Sequence, residues 1–394
     1  MKTIRLKPGR EKSLQHKHPW VFAGAVESVS GMPSAGETVD VLSASGDWLG
    51  RASYSPLSQI RARVWTWNPD EVVDATFFAR RIAGAVDMRR ALGLEAETNA
   101  MRLVYGESDG LPGVIVDRYA DVLVLQCLTA GAERWRDEIV SALIEITGIE
   151  NVYERSDVDV RHLEGLPKRC GLIRGKLPPE IVIHEGDLAF RVDVCIGQKT
   201  GFYMDQRRNR QWVRTMVNSR RVLDCFAYTG GFTVYALAGG AAEVVSVDSS
   251  QQALRLAAEN VQRNHFSPDR VQWREGNVFS VLREMRDRGQ RFDVVILDPP
   301  KFAPTAAQAH KATRAYKDVN LLALKMLSTG GLLFTFSCSG GVSAELFQRV
   351  VAGAAQDAKV EVQVVAYLSQ ASDHPVLLNF PEGAYLKGLV CRKM

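Results

Sequence analysis

The chain lacks any apolar run near the roughly 20 residues that a membrane-spanning helix needs. Its start, Met1-Lys2-Thr3-Ile4-Arg5-Leu6-Lys7, carries cations but no apolar stretch of the kind a secretory leader has, so none is expected. Cysteine is sparse: residues 127, 170, 195, 225, 338 and 391 are scattered, with no CxxC and no Cys/His pair at metal-ligand spacing. This argues against a disulfide scaffold or a zinc site and for reduced thiols in a cytoplasmic protein, with no metal. Neither sign of charge dominates. The 49 cations against 45 acids leave a formal net charge of +4, which permits a nucleic-acid partner without requiring one. Internal repeats and low-complexity tracts are absent. The 394 residues allow two or three domains of ordinary globular composition.

A dinucleotide fingerprint is missing as well. The first strand of the C-terminal half runs into Asp224-Cys225-Phe226-Ala227-Tyr228-Thr229-Gly230-Gly231-Phe232, which is not GxGxxG. That weakens a dehydrogenase reading. The surroundings are nevertheless those of a doubly wound sheet. From about residue 196, apolar strands alternate with helical stretches: Arg221–Cys225, Glu243–Val247, Val271–Arg274, Phe292–Leu297 and Gly331–Phe336 are strands separated by helices. Two more strands, at 360–367 and 385–391, lack a helix-length connection, so an antiparallel final pair is expected.

Residues 1–70 read as a small β domain of short alternating strands and Gly/Pro/Ser turns. Within it, Arg10, Lys12 and other cations precede His18-Pro19-Trp20-Val21-Phe22. Cations with interleaved aromatics suit RNA, because phosphates attract cations and unstacked bases stack on rings. A basic terminus in solvent with Trp20 in a small core is the plainer alternative. Residues 71–195 read as a central α+β block with helices at 72–94 and 134–146 and no catalytic cluster.

Three ligand signals lie at strand ends of the C-terminal domain, residues 196–394. The small-residue turn after Asp224 lets a ligand approach the backbone and a helix N-terminus. Asp248 ends the second strand, where an acid accepts the hydroxyls of a ribose. Asn277 follows the third, where an amide meets an adenine edge. The fourth strand ends in Asp298-Pro299-Pro300-Lys301-Phe302, a stiff loop because each proline fixes its own φ and extends the residue before it. In open α/β sheets this edge binds ligands.

Taken together, His18-Pro19-Trp20-Val21-Phe22, Gln198-Lys199-Thr200-Gly201-Phe202-Tyr203-Met204-Asp205-Gln206-Arg207, Asp224-Cys225-Phe226 with Thr229-Gly230-Gly231, Asp298-Pro299-Pro300-Lys301-Phe302 and Ser337-Cys338-Ser339 resemble the class I S-adenosylmethionine-dependent methyltransferases. Within them the chain is similar to the bacterial 23S rRNA 5-methylcytosine methyltransferases, the ribosomal large subunit methyltransferase I family. The resemblance spans essentially the whole chain. It implies an α/β fold: a doubly wound, Rossmann-like methyltransferase sheet preceded by a PUA-like β domain and a central α+β domain.

It further implies S-adenosyl-L-methionine as cofactor, held by Asp224, Phe226, Thr229, Gly230, Asp248, Asn277 and Asp298, with Gln198, Lys199 and Thr200. Many relatives carry an acid where this chain has Asn277. The implied partner is 23S rRNA, contacted by Pro299, Lys301, Phe302, Arg207, Arg10, Lys12 and Trp20, with the protein a monomer or homodimer and no membrane involved.

Carbon 5 of cytosine is a poor nucleophile until a thiolate adds to carbon 6. Cys338, which follows the apolar run Leu332–Phe336, is the candidate nucleophile, and Asp298 the candidate group for the pyrimidine edge. The plain alternative for Cys338 is an inert buried cysteine. Arg207, Arg208 and Arg210 read as phosphate contacts or lid residues, or else as a solvated helix face. A methyltransferase acting on another base, guanine for example, and a non-catalytic RNA-binding assembly factor are the competing functions.

Overall fold

The computed structural model describes residues 2–302 and 309–394, and of residues 309–311 the backbone only. The chain forms two compact units: Met1–Gly186 with Val192–Met204 and Ser372–Gly383, and Asp187–Arg191 with Asp205–Ala371 and Ala384–Met394.

The first unit holds two sheets. A six-stranded sheet orders Trp20–Phe22, Ile60–Thr66, Trp48–Tyr54, Thr38–Leu42, Thr3–Leu6 and Val26–Ser30. Ile4, Leu6, Val21, Val39, Val41, Ala62 and Val64 alternate inward to form its core, as period-two patterning requires. A five-stranded sheet orders Arg169–Arg174, Asn151–Ser156, Val122–Cys127, Val114–Tyr119 and Ala100–Tyr105. The helix Ala75–Ala91 begins where the Asp74 side chain accepts from the Phe77 amide at 2.9 Å, a standard N-cap. It buries Phe77, Phe78, Ile82 and Val86. The second expected helix arrives as two pieces, Ala130–Arg134 and Arg136–Thr147.

The second unit is one seven-stranded sheet. Its strands are β1 (Arg221–Cys225), β2 (Glu243–Asp248), β3 (Val271–Glu275), β4 (Phe292–Leu297), β5 (Leu327–Ser337), β6 (Val362–Ser369) and β7 (Lys387–Lys393), in the spatial order 3-2-1-4-5-7-6. The helices are α1 (Arg207–Thr215), α2 (Gly231–Ala238), α3 (Gln251–Arg263), α4 (Val278–Asp287), α5 (Ala309–Met326) and α6 (Ala344–Ala358). Strands β1 to β5 are parallel, and β7 lies antiparallel between β5 and β6. Buried on both faces, the central strands read as continuous apolar runs such as Val294-Val295-Ile296-Leu297, all fully buried. On one face Val295, Leu297 and Leu333 pack with Leu282 and Met285 of α4, Tyr316 and Val319 of α5, and Phe347 and Val351 of α6.

Register positions the strand ends. Cys225 pairs with Leu297 and Leu297 with Thr335, so the residues just beyond β1, β4 and β5 emerge side by side. The order 3-2-1-4 reverses direction at β1, which makes that edge a topological switch point.

Candidate active site

Asp224 sits inside β1 with no exposed surface. Its Oδ2 accepts from the Thr233 hydroxyl at 2.7 Å, and that hydroxyl lies 2.6 Å from Ser246 Oγ. Its Oδ1 has no partner among the described residues. Burial first, and then the charge of Asp248, push its carboxyl up to about 7. The following turn is strained: Phe226 and Tyr228 adopt positive φ, at 63° and 48°, and Gly230 sits at 78°. Positive φ at bulky residues is costly and clusters at ligand sites. Gly230 is required for another reason, since a Cβ there would lie 2.9 Å from the Cβ of Ala257 on α3. The turn thus presses its backbone onto a helix and leaves its outer side to a ligand. Thr229 Oγ1 is buried and unpartnered among the described residues.

Asp248 ends β2 and is gripped by two amides, Tyr228 N at 2.9 Å on Oδ2 and Ser250 N at 2.9 Å on Oδ1. Each oxygen keeps a further lone pair. Asn277 is exposed, and its side chain caps α4 by accepting from the Ser280 amide at 3.3 Å. Its amide oxygen therefore meets an adenine edge only with its remaining lone pair. Buried acceptors lacking donors at the end of β1, beside a fixed carboxylate at the end of β2, fit a nucleoside with an amino-acid tail.

At the neighbouring strand ends, Asp298 is half-buried. Its carboxyl is pushed up to about 8, chiefly by burial and then by the negative charges of Asp205 and Asp224, against the opposing pull of Gln206 and Arg210. Asp205 itself holds the Tyr385 hydroxyl at 2.5 Å. Cys338 lies one residue past β5 between fully buried Ser337 and Ser339. The strand's alternation turns its side chain the other way, and it is partly exposed. Its Sγ is 4.0 Å from the Pro299 carbonyl oxygen. Ser339 Oγ lies 2.9 Å from the hydroxyl of buried Tyr316, whose own ionisation burial pushes up. By contrast Cys225 is fully buried and its thiol is raised well above the ordinary value, which suits packing and not chemistry.

Several expected site residues are used differently. Arg207 and Arg210 are buried, at 1% and 2% exposure, and the Arg210 guanidinium lies 5.7 Å above the Tyr235 ring centre. Only Arg208 of the three faces solvent. Arg207, expected to contact RNA, is thus turned inward in this structure. Phe302 is wedged between Phe279 and Tyr316, with ring centres 6.0 and 4.9 Å away, so part of its stacking surface is taken. The Trp20 indole N–H donates to Glu107 at 2.8 Å and its ring meets Phe380 edge-on at 4.9 Å. Gln198, Lys199 and Thr200 belong to the first unit, where the Thr200 hydroxyl donates to Asp117 at 2.6 Å and Gln198 accepts from Tyr203 at 2.8 Å.

Arg10 and Lys12 do lie together. With Ser13 and the half-exposed ring of Phe22 they line a surface cavity of about 370 Å³. Sequence reasoning missed Asp205, Gln206, Tyr316, Tyr385 and Lys387. Asp205 and Gln206 stand inside a quoted motif, but the others carry no local signal.

Among the described residues there is no cluster of three metal-ligating side chains and no helix long and apolar enough to cross a membrane.

Comparison with known proteins agrees with this architecture. A family model for S-adenosylmethionine-dependent methyltransferases matches residues 160–378, and one for a PUA-like domain matches residues 4–67. The chain is 52% identical over 390 residues to the ribosomal RNA large subunit methyltransferase I of Shewanella amazonensis, covering 99% of this chain and 98% of that one. It is 49% identical to the protein of the same name in Shigella boydii, at the same coverage. A methyltransferase structure solved in complex with SAH superposes over both full chains with a TM-score of 0.87 at 22% identity, which shows a shared fold. The chain belongs to the S-adenosylmethionine-dependent methyltransferases, in the family of ribosomal RNA large subunit methyltransferase I.

Proposed function

We propose that this protein methylates carbon 5 of a cytosine in 23S rRNA through a covalent adduct with Cys338. The observation that carries the reading is the placement of a partly exposed thiol at the end of β5, 4.0 Å from the Pro299 carbonyl and on the strand next to the one that ends in Asp298.

S-adenosylmethionine, when bound, supplies an electrophilic methyl group on a sulfonium. Asp224, Thr229, Gly230, Asp248 and Asn277 would hold it. Everything else falls to the chain's own side chains. The Cys338 thiolate adds to carbon 6, and the electrons of the C5=C6 bond move toward the ring nitrogen N3. Asp298 is protonated near neutral pH because its site disfavours the charge. It therefore has a proton to give to N3 as negative charge develops there, and the resulting carboxylate then accepts from the exocyclic amino group. Carbon 5 becomes enamine-like and takes the methyl group. Water takes the C5 proton, which re-forms the C5=C6 double bond and expels the Cys338 thiolate, and N3 returns its proton to Asp298. Pro299 and Pro300 fix the backbone on which Asp298 stands, which keeps the base in near-attack geometry.

Residues 1–70 supply a further surface that holds the RNA. Arg10 and Lys12 face the phosphates and Phe22 offers the stacking surface. Lys301, exposed beside the Asp298 loop, adds a phosphate contact near the target base. We read residues 71–195 as the central domain and residues 196–394 as the methyltransferase domain, with Val192–Met204 and Ser372–Gly383 belonging to the first compact unit. Nucleoside mass analysis of 23S rRNA treated with the protein and cofactor tests the target: 5-methylcytosine is expected, and a methylated guanine or adenine overturns the assignment.

A further inference from the structure

Lys387 opens β7 directly opposite Ser337, the last residue of β5, and on its other side opposite Ser369 of β6. Its backbone is thus fixed one residue from the nucleophile. Its ammonium donates to the carbonyl oxygens of Ser339 at 2.8 Å and Val342 at 2.7 Å. Both carbonyls belong to the turn that carries Cys338 into α6. An ammonium has three N–H donors, so one remains.

Among the described residues no carboxylate acts on the charge. Burial lowers Lys387 to about 8; the groups that act on it are the Cys338 sulfur, which favours its charge, and the Lys301 ammonium, which opposes it. A desolvated ammonium without an acid is expensive. If pinning the turn were its only task, a neutral amide would serve at lower cost.

The same strand supplies an internal comparison. Lys393, at its far end, donates to the carbonyls of Leu324 at 3.0 Å and Leu327 at 2.6 Å. That is the same pinning device on a turn without the nucleophile. Titratable groups that act on the Cys338 thiol include Lys387 from β7 and Tyr316 from α5, with the Pro299 carbonyl as a dipole, while Lys301, from the loop after β4, acts on Lys387. Lys301 is exposed and screened by water, and Tyr316 is neutral.

We propose that Lys387 is a positioning residue of the reaction: it pins the Ser339–Val342 turn and holds a positive charge that keeps Cys338 available as the thiolate. In this step the thiol proton passes to water and the negative charge left on sulfur is stabilised by the ammonium. No oxidant or co-reactant is involved. The assignment rests on Cys338 being the nucleophile, but its effect on the thiol exists in the free protein.

The test therefore uses the full chain without RNA. Alkylation of Cys338 by iodoacetamide is followed against pH by peptide mass spectrometry, which separates it from the exposed Cys170 and Cys195. The wild-type midpoint is expected below the ordinary thiol value of about 8.5. Lys387→Met and Lys387→Gln are both expected to raise the midpoint by about one unit, a ~10-fold slower alkylation near neutral pH. Lys393→Met is expected to leave it in place. An unmoved midpoint in both Lys387 variants overturns the proposal, as does an equal movement in Lys393→Met. Should Cys338 show the Lys387-dependent midpoint while Cys338→Ala still forms 5-methylcytosine, the covalent mechanism falls and the thiol–lysine coupling stands.

Discussion

The sulfur of Cys338 and the carbonyl oxygen of Pro299 are 4.0 Å apart, within reach of a weak S–H···O hydrogen bond. The contact joins the ends of β5 and β4 and so sets the thiol beside the Asp298 loop. A thiol donates to that carbonyl, and a thiolate does not. Deprotonation therefore releases the sulfur from the loop.

The rate should depend on two ionisations of opposite sense. A rising limb reports the Cys338 thiol losing its proton. A falling limb near pH 8 reports Asp298 losing the proton that burial and its acidic neighbours hold there. With RNA and cofactor both well below their KM values, kcat/KM reads the free protein. Asp298→Asn should lower it by about 100-fold, within the usual range for a positioned acid, and leave only the falling limb that Lys387, also near 8, contributes. A falling limb that survives when Asp298→Asn is combined with Lys387→Met contradicts the assignment.

Asp224 makes a stability prediction for the protein without cofactor. Its carboxyl is raised from 3.8 to about 7 in the folded chain. The favourable contribution of the neutral acid is complete below pH 3.8. It is lost as pH rises toward 7, by up to about 1.4 kcal/mol per pH unit. Asp224→Asn stays neutral throughout. Its Tm relative to wild type should climb between pH 4 and 7 and level off above. Calorimetry across that range showing a flat difference would count against a buried, neutral Asp224.

Gly230→Ala should destabilise the protein by about 1–3 kcal/mol, because the residue sits at φ +78° and its new methyl group meets Ala257. It should also weaken S-adenosylmethionine binding, as the turn must move outward. Gly84→Ala, in the helix Ala75–Ala91 with open space around it, should be neutral or stabilise by about 0.5–1 kcal/mol. Denaturant unfolding and calorimetric titration of the pair separate the two effects. Equal behaviour of the two variants contradicts the account of the turn.

Arg10→Ala with Lys12→Ala should weaken rRNA binding and reduce the slope of log K against log salt by about 0.7–0.9 for each phosphate contact removed. The cofactor affinity should not change. Trp20→Ala, in contrast, should lower Tm, because the ring is packed against Phe380 and its N–H is bonded to Glu107. An unaltered salt slope in the double variant removes residues 10–12 from the RNA surface.

Much of the fold is legible in the sequence. Parallel strands buried on both faces announce themselves as apolar runs ended by breakers, and β1, β2 and β4 were found with their terminal acids. Cys338 was legible because it follows such a run. The strand Arg169–Arg174 was not, since an edge strand with alternating exposed residues carries no apolar signal. The helix α1 was misleading for a related reason. Arg-Arg-Asn-Arg reads as a solvated face, yet Arg207 and Arg210 are interior. Lys387 was beyond sequence reasoning because its meaning lies in the long-range pairing of β7 with β5. The same holds for Tyr385 and Asp205, joined across 180 residues.

The covalent role of Cys338 is the centre of the account. Cys338→Ala, incubated with S-adenosylmethionine and unmodified 23S rRNA, is expected to bind cofactor normally and to form no 5-methylcytosine. Retained 5-methylcytosine formation in that variant would contradict it.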